Sequence, residues 1–432
     1  MNILIISTQN PFKTSGIVAF NLYNGLKDEK NNVKVLIKDY AEFESADFVS
    51  METASDVKKK KWKDRFERAL RRFGIVNRLD STHPDYHIQD FDQTVQYYST
   101  KKILKKISFK PDVILYLFQQ NFLTAKNLYE LNKLTDAKIF WYLMDKAPLT
   151  GACHYSWDCN GYISGCGKCP ALYSNKSKDQ SSINFRYKNK YLSKTNIEII
   201  AATELQLKQT SVSGLYSNKP IHKILLSIDP ELFSFVPKNI AKGKFNISSD
   251  KKVIFFGGTS ITDSRKGMKY LIESLMILKE NFNLPFDNIL LIIAGNSNIL
   301  FDSLPFEMRH LGFLANNEQL ASAYQAADIF VCPSIEDAGP MMINQSIMTG
   351  TPVVSFEMGV AQDLVISGKT GYRANLRDSF DLAKGINSIL ELDHVAYQEM
   401  CLNCRELGLK LYHPNVVKEQ FNKLFSNETN NI

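Results

Sequence analysis

Short, uninterrupted apolar runs constrain this chain more than any other feature. They are Asn2–Ile6, Val33–Ile37, Asp112–Leu117, Lys138–Leu143, Ile197–Ala201 and Ile224–Leu226, then Val253–Phe256, Ile289–Ala294, Ile329–Val331 and Pro352–Phe356. Runs without polar alternation are strands buried on both faces, and the helix-length segments between them indicate parallel α/β sheets. The runs form two series, before about residue 225 and after about residue 250. A length of 432 residues suits two or three domains. The expected fold is therefore α/β, with two Rossmann-like doubly wound domains facing a cleft and ligands at the carboxyl ends of the strands. Residues 229–250, with Pro230, Pro237, Gly243 and several Lys, Ser and Asn, read as a linker. The domains are then 1–228 and 229–411, with 412–432 left as a C-terminal helix.

The formal net charge is +7. Lys58, Lys59, Lys60, Lys61, Lys63, Arg65, Arg68, Arg71 and Arg72, against Asp64 and Glu67, account for all of it. Within the same segment Trp62, Phe66, Leu70 and Phe73 recur on one helical stripe, with Asp56 to cap the start and Gly74 to end it. A basic helix over 58–73 with an aromatic stripe suits an anionic membrane surface. Packing of that stripe on its own domain is the other reading, and nucleic acid is not an expected partner. No apolar run approaches the ~18 residues needed to span a bilayer. The start, Met1-Asn2-Ile3-Leu4-Ile5-Ile6, lacks the basic region of a signal peptide. The expected location is cytoplasmic, peripheral at the inner face of the membrane, with the seven cysteines reduced.

The second half carries the most informative constellation. Val253–Phe256 runs into Gly257-Gly258-Thr259-Ser260 and then Asp263-Ser264-Arg265-Lys266-Gly267, ahead of an amphipathic helix over 268–280. Glycine lets a ligand approach the backbone, and an adjacent cationic pair can neutralise a diphosphate. Ala294-Gly295-Asn296 and Gly312-Phe313-Leu314 follow later. Cys332-Pro333-Ser334-Ile335-Glu336-Asp337-Ala338-Gly339-Pro340-Met341 takes a strand into a helix with proline in its first turn. The free amides and dipole of that helix start form an anion site. Glu336 stands just before it, able to accept hydrogen bonds from sugar hydroxyls. An ordinary strand–loop–helix explains each feature singly, but not their recurrence at successive strand ends.

The run from Gly257 to Gly371 resembles the nucleotide-sugar-binding domain of glycosyltransferase family 4, retaining enzymes of the two-Rossmann-domain GT-B fold. The resemblance implies that Arg265 and Lys266 hold the donor diphosphate and that Glu336 binds the donor sugar. It implies phosphate on the amides around Gly339, Pro340 and Met341, donor contact at Gly258 and Gly295, and the base near Phe313 and Leu314. A second glutamate eight positions after the first grips the ribose in the family; here that residue is Asn344. The resemblance also implies that the stretch from about Tyr412 crosses back onto the first domain.

Two segments of the first half resemble the same family. Thr14-Ser15-Gly16-Ile17 is similar to the small-residue loop over the donor phosphate. Tyr142-Leu143-Met144-Asp145 through Gly151-Ala152-Cys153-His154-Tyr155 resembles a polysaccharide-assembly branch in which His-Asp precedes a cysteine-rich loop. Met144 stands at the histidine position, which leaves Asp145 as a catalytic candidate and His154 as an acceptor-side candidate. Cys153, Cys159, Cys166 and Cys169 then fall within 17 residues in a C-x₅-C-x₆-C-x₂-C pattern. In a reducing compartment this suggests a structural zinc ion, with free thiols and disulfides as the other readings. Cys401 and Cys404, one helical turn apart, read as incidental. Gly368-Lys369-Thr370 imitates the end of a P-loop, but Asp363 stands where that motif needs glycine.

The implied activity is transfer of a sugar, with retention, from a nucleotide diphosphate sugar to a glycan or lipid-linked acceptor in cell-surface polysaccharide synthesis. Arg265, Lys266 and the helix start near Gly339 would stabilise the departing diphosphate, so no catalytic metal is required by this design. A nucleotide-sugar epimerase of the same fold and a non-catalytic glycosyltransferase-like subunit are the alternatives.

Overall fold

The computed structural model describes residues 1–12, 16–43, 45–59, 62, 82–260, 262–296, 304–314, 316–339 and 341–426. The chain divides into two compact units. One comprises residues 1–201, 207–223 and 421–432, and the other residues 202–206 and 224–420. The change of unit falls at Lys223/Ile224, after a brief excursion at residues 202–206, and the return falls at Phe421.

The first unit is built on seven parallel strands: β1 (Asn2–Ser7), β2 (Asn32–Ile37), β3 (Phe48–Ser50), β4 (Val113–Tyr116), β5 (Lys138–Tyr142), β6 (Ile197–Ala201) and β7 (Ile221–Lys223). Their order in the sheet is β3-β2-β1-β4-β5-β6-β7. Ile3 to Ile6, Ile114 to Tyr116 and Ile139 to Tyr142 are each no more than 1% exposed, as strands covered on both faces must be. Tyr116 and Trp141 pack with ring centroids 4.9 Å apart. The Tyr116 hydroxyl donates to the Leu123 carbonyl at 2.9 Å, so its burial leaves no orphaned donor. The last helix, Pro414–Phe425, brings Phe421 against Tyr142 (5.8 Å between centroids) and Phe425 against Phe140 (5.3 Å).

The second unit has β8 (Lys252–Ser260), β9 (Ile289–Asn296), β10 (Glu307–Gly312), β11 (Ile329–Cys332), β12 (Val353–Phe356) and β13 (Gly371–Ala374). The order is β10-β9-β8-β11-β12-β13, again all parallel. Each unit is thus a doubly wound Rossmann-like sheet. The chain winds outward from the first strand, returns, and winds the other way.

Several sequence expectations need correction. The run read as a strand at 224–226 lies just past β7. The stretch 229–250 is no loose linker: it contains the helix Lys238–Gly243. Lys242 there forms a buried ion pair with Asp328 at 2.9 Å, and Asp328 also accepts the Val253 amide at 2.6 Å. Thr53, not Asp56, caps the helix beginning at residue 54. Its hydroxyl accepts the Asp56 amide at 3.4 Å while the Asp56 carboxylate accepts the Thr53 amide at 2.9 Å, a reciprocal capping box. Of the expected basic helix, Lys58 and Lys59 are exposed and Trp62 is 75% exposed. Residues 60–61 and 63–81 lie outside the described residues.

Candidate functional site

In the second unit β8 and β11 are sheet neighbours with opposite onward windings, so the crevice beyond their carboxyl ends is the switch point where such sheets bind ligands. Arg265, Lys266 and Glu336 lie in the loops that follow these two strands. Asp263 caps a 3-10 turn over Ser264–Lys266, accepting the Arg265 amide at 3.1 Å. Gly267 closes the turn at φ 65° and opens the helix Met268–Asn281. A β-carbon there would lie 1.8 Å from the Pro333 carbonyl oxygen, so only glycine lets the turn lie against the loop after β11. The Ile335 amide donates to the Arg265 carbonyl at 2.8 Å and fixes that contact.

The cations of the turn are already engaged. Arg265, 6% exposed, donates through Nη2 to Asp263 Oδ2 at 2.5 Å. Lys266 Nζ donates to Asp337 Oδ2 at 2.6 Å, and Asp337 Oδ1 accepts the Gly339 amide at 3.2 Å. Burial alone would lower the Lys266 pKa, but the Asp337 carboxylate outweighs it and holds the ammonium above its usual value. Burial likewise opposes the Asp337 charge, and Lys266 overrides it, so the carboxyl sits below its usual range. Asp263 and Asp337 escaped the sequence reading. The Asp-x-Arg capping pattern was visible for the first, whereas the second was overshadowed by its neighbour Glu336.

Glu336 sits in the loop joining these groups, between Ile335 on the turn and Asp337 on Lys266. Gly257 allows β8 to approach β9, since its β-carbon would lie 2.8 Å from the Ala294 carbonyl oxygen. Gly258 faces open space, and Gly295 at φ 139° ends β9 in a conformation suited to glycine. Phe313, 44% exposed, and Leu314 follow β10 at the sheet edge, two strands from the switch point. Met341 opens the helix Met341–Met348. Asn344 lies within it, 2% exposed, its carbonyl accepting the Tyr412 hydroxyl at 2.8 Å. Pro340 lies outside the described residues. The P-loop imitation is a plain turn, in which the Thr370 hydroxyl accepts the Ile366 amide at 2.8 Å.

The first unit has its own switch point, between β1 and β4. Gly16 stands at the N-cap of the helix Ile17–Leu26, and a β-carbon there would meet the Asn10 carbonyl oxygen at 1.9 Å. Thr14 and Ser15 lie outside the described residues. Beyond β5, Asp145 and His154 meet each other: His154 Nδ1 lies 2.7 Å from Asp145 Oδ2 while Asp145 Oδ1 accepts the Ala147 amide at 2.8 Å. They are 8% and 4% exposed, so this dyad shapes the loop between them. Lys188, 2% exposed, braces the same loop by donating to the Ala147 carbonyl at 2.6 Å and the Thr150 carbonyl at 2.8 Å. Burial pushes its pKa down to about 8.

A polar cluster missed from the sequence surrounds the carboxyl ends of β1 and β4. Gln9 Oε1, Asp90 Oδ1, Gln119 Nε2 and Gln120 Oε1 are buried without hydrogen-bond partners. The Asn121 amide reaches Asp90 Oδ2 at 3.3 Å, and the Thr8 hydroxyl donates to the Phe118 carbonyl at 2.9 Å, tying the segments together. Burial pushes the Asp90 carboxyl up to about 6. Buried polar atoms without partners are uncommon and expensive, so the cluster is suited to a hydroxyl-rich ligand. No sequence signal marks it, because the four residues come from three separated loops.

Cys153, Cys159, Cys166 and Cys169 are free thiols. All four line one cavity of about 20 Å³. Among the described residues, no group of three or more His, Cys, Asp or Glu side chains is arranged to hold a metal ion as it stands. Cys401 and Cys404 are core residues, 1% and 0% exposed. No helix among the described residues is long and apolar enough to cross a membrane.

A doubly wound sheet with a cationic turn at its switch point places that turn where sheets of this kind bind ligands. Residues 237–410 match the family described as glycosyl transferases group 1. An uncharacterized glycosyltransferase of Methanocaldococcus jannaschii is 24% identical over 271 residues, covering 59% of this chain and 65% of that protein. The N,N'-diacetylbacillosaminyl-diphospho-undecaprenol alpha-1,3-N-acetylgalactosaminyltransferase of Campylobacter jejuni is 22% identical over 231 residues, covering 51% and 57%. The chain thus spans less than two thirds of either relative. Among solved structures, sucrose-phosphate synthase from Thermosynechococcus elongatus covers 99% of both chains at 16% identity, with a TM-score of 0.67. Anabaena HepE in complex with UDP-glucose aligns over 99% of this chain and 100% of its own, at 15% identity and a TM-score of 0.61. Both share the two-domain Rossmann-like fold.

Proposed function

We propose that this protein transfers a sugar, with retention of configuration, from a nucleoside diphosphate sugar to a glycan or lipid-linked acceptor in cell-surface polysaccharide assembly. The observation that carries the reading is the Arg265–Lys266 turn held against the 333–337 loop at a switch point inside the matched domain. The UDP-glucose complex of HepE and the diphospho-undecaprenol named for the Campylobacter relative support the donor and acceptor classes.

The hard step is departure of a diphosphate from an oxocarbenium-like sugar. Arg265, Lys266 and the amides at the start of the helix Met341–Met348 place fixed positive potential where the leaving charge grows, and Glu336 orients the sugar hydroxyls. The bond from the anomeric carbon to the diphosphate oxygen breaks while the acceptor oxygen bonds to that carbon on the same face. The departing phosphate oxygen takes the acceptor's proton. Gln9, Asp90, Gln119 and Gln120 hold acceptor hydroxyls, and the Asp145–His154 dyad keeps its loop in shape. Zinc, if bound, is structural, and the basic segment 58–73 brings the protein to the cytoplasmic face of an anionic membrane.

The test is a panel of nucleoside diphosphate sugars, offered with and without a polyprenyl-diphosphate-linked sugar. Release of nucleoside diphosphate and a product of retained anomeric configuration are expected for at least one donor. Absence of turnover with every donor and acceptor would sink the reading and leave a non-catalytic subunit. Interconversion of the nucleotide sugars without transfer would instead identify an epimerase.

A further inference from the structure

The cysteine loop takes no part in that chemistry, and its geometry points to a second site. We propose that Cys153, Cys159, Cys166 and Cys169 bind one zinc ion as a four-thiolate structural centre.

The four residues span 17 positions, yet all four line a single cavity. At about 20 Å³ it has room for a single water or ion between the thiols. The backbone is shaped around the C-x₂-C pair. Gly165, Cys166, Gly167 and Lys168 have φ of 126°, 58°, 95° and 48°, four left-handed residues in succession, two of them carrying side chains. Such a run is costly and persists only where its surroundings hold it. Here they do. The Lys168 amide donates to the Lys176 carbonyl at 2.8 Å, the Gly167 amide to Ser181 Oγ at 3.0 Å and the Cys169 amide to Asp179 Oδ2 at 2.9 Å. A β-carbon on Gly167 would lie 2.4 Å from the Ser177 carbonyl oxygen, so the knuckle is clamped from outside.

Gly161 marks the opposite wall. Its β-carbon position lies 3.5 Å from Cys159 Sγ and 4.0 Å from Cys166 Sγ, so both sulfurs crowd a position with no side chain. All four cysteines line the cavity, and among the described residues no ready-made metal cluster is present. A tetrahedral zinc with Zn–S bonds of about 2.3 Å needs sulfurs about 3.8 Å apart. Rotation between staggered χ1 wells carries a cysteine sulfur by about 3 Å, the movement by which the ring of thiols would close on a metal. Binding releases the thiol protons to solvent and leaves a centre of net charge −2. The buried Lys188, whose charge bears on Cys153 and Cys166, supplies a nearby counterion.

The test uses the full chain purified under reducing conditions. Elemental analysis should find about one zinc per chain. After chelation, one equivalent of cobalt should bind with the intense visible absorption of tetrahedral cobalt–thiolate coordination. Cys166→Ser combined with Cys169→Ser should lower bound zinc at least about fivefold, whereas Cys401→Ser should leave it unchanged. Because the double variant also risks misfolding, the cobalt spectrum of the unaltered chain is the deciding measurement. Cobalt bands of octahedral type, absence of binding, or recovery of these cysteines as disulfides would each overturn the proposal. None of these readouts depends on glycosyl transfer, so the site stands or falls apart from the activity.

Discussion

Lys266 and Asp337 show how a buried charge is kept useful. The ammonium is held protonated against burial by one carboxylate, so removing that carboxylate should let burial win. Asp337→Asn should therefore lower the Lys266 pKa and move the alkaline limb of the kcat/KM profile to lower pH. Lys266→Ala should lower kcat/KM by about 10²–10³, the loss typical of one charge-stabilising donor, across the whole pH range. Asp90 behaves in the opposite sense. Its folded-state pKa of about 6 lies above the ordinary 3.8, so the folded protein holds its proton more tightly. Its stabilising contribution is complete below about pH 4 and is lost as pH rises through 6, a difference of up to about 3 kcal/mol. Asp90→Asn should flatten that dependence, raising Tm relative to the parent at pH 7.5 but not at pH 4, while acceptor KM rises. Thermal melts at the two pH values check the sign.

The turn 264–266 and the helix that follows depend on one glycine. Gly267→Ala places a β-carbon against the Pro333 carbonyl and a side chain at φ 65°. The strain should cost about 1–3 kcal/mol, lower Tm by several degrees and weaken nucleoside diphosphate binding measured by calorimetry. The adjacent Gly258, with open space around its β-carbon position, should tolerate alanine without a fall in Tm. At this scale the central strands were legible in the sequence, because burial on both faces leaves them largely apolar. The four edge strands were not. β3 and β7 have three residues each, β13 has four, and β10 reads Glu-Met-Arg-His-Leu-Gly because its outer margin meets solvent. The same distinction governs the site. Arg265, Lys266 and Glu336 follow strands in a recognisable rhythm. By contrast, the pairing of Asp337 with Lys266 and the orphaned Gln9, Asp90, Gln119 and Gln120 arise from chain segments that only folding brings together, whereas Asp263 stood in view two residues before Arg265.

For the molecule as a whole, two sheets are wound in the same sense and each has its own switch point, while one segment holds the entire formal charge surplus. Replacing Lys58, Lys59, Lys60 and Lys61 with serine should abolish sedimentation with vesicles rich in anionic lipid and leave hydrolysis of a soluble donor unchanged. Unaltered sedimentation would count against the membrane anchor. The paired cations of the proposed donor site bear on the complete cycle of turnover. Every round ends with a spent nucleotide that must be expelled before fresh substrate enters. Bare positive groups would cling to it. Arg265 and Lys266 instead have Asp263 and Asp337 at hand to receive them when the diphosphate leaves, so the vacated pocket is electrically settled and product inhibition should be weak.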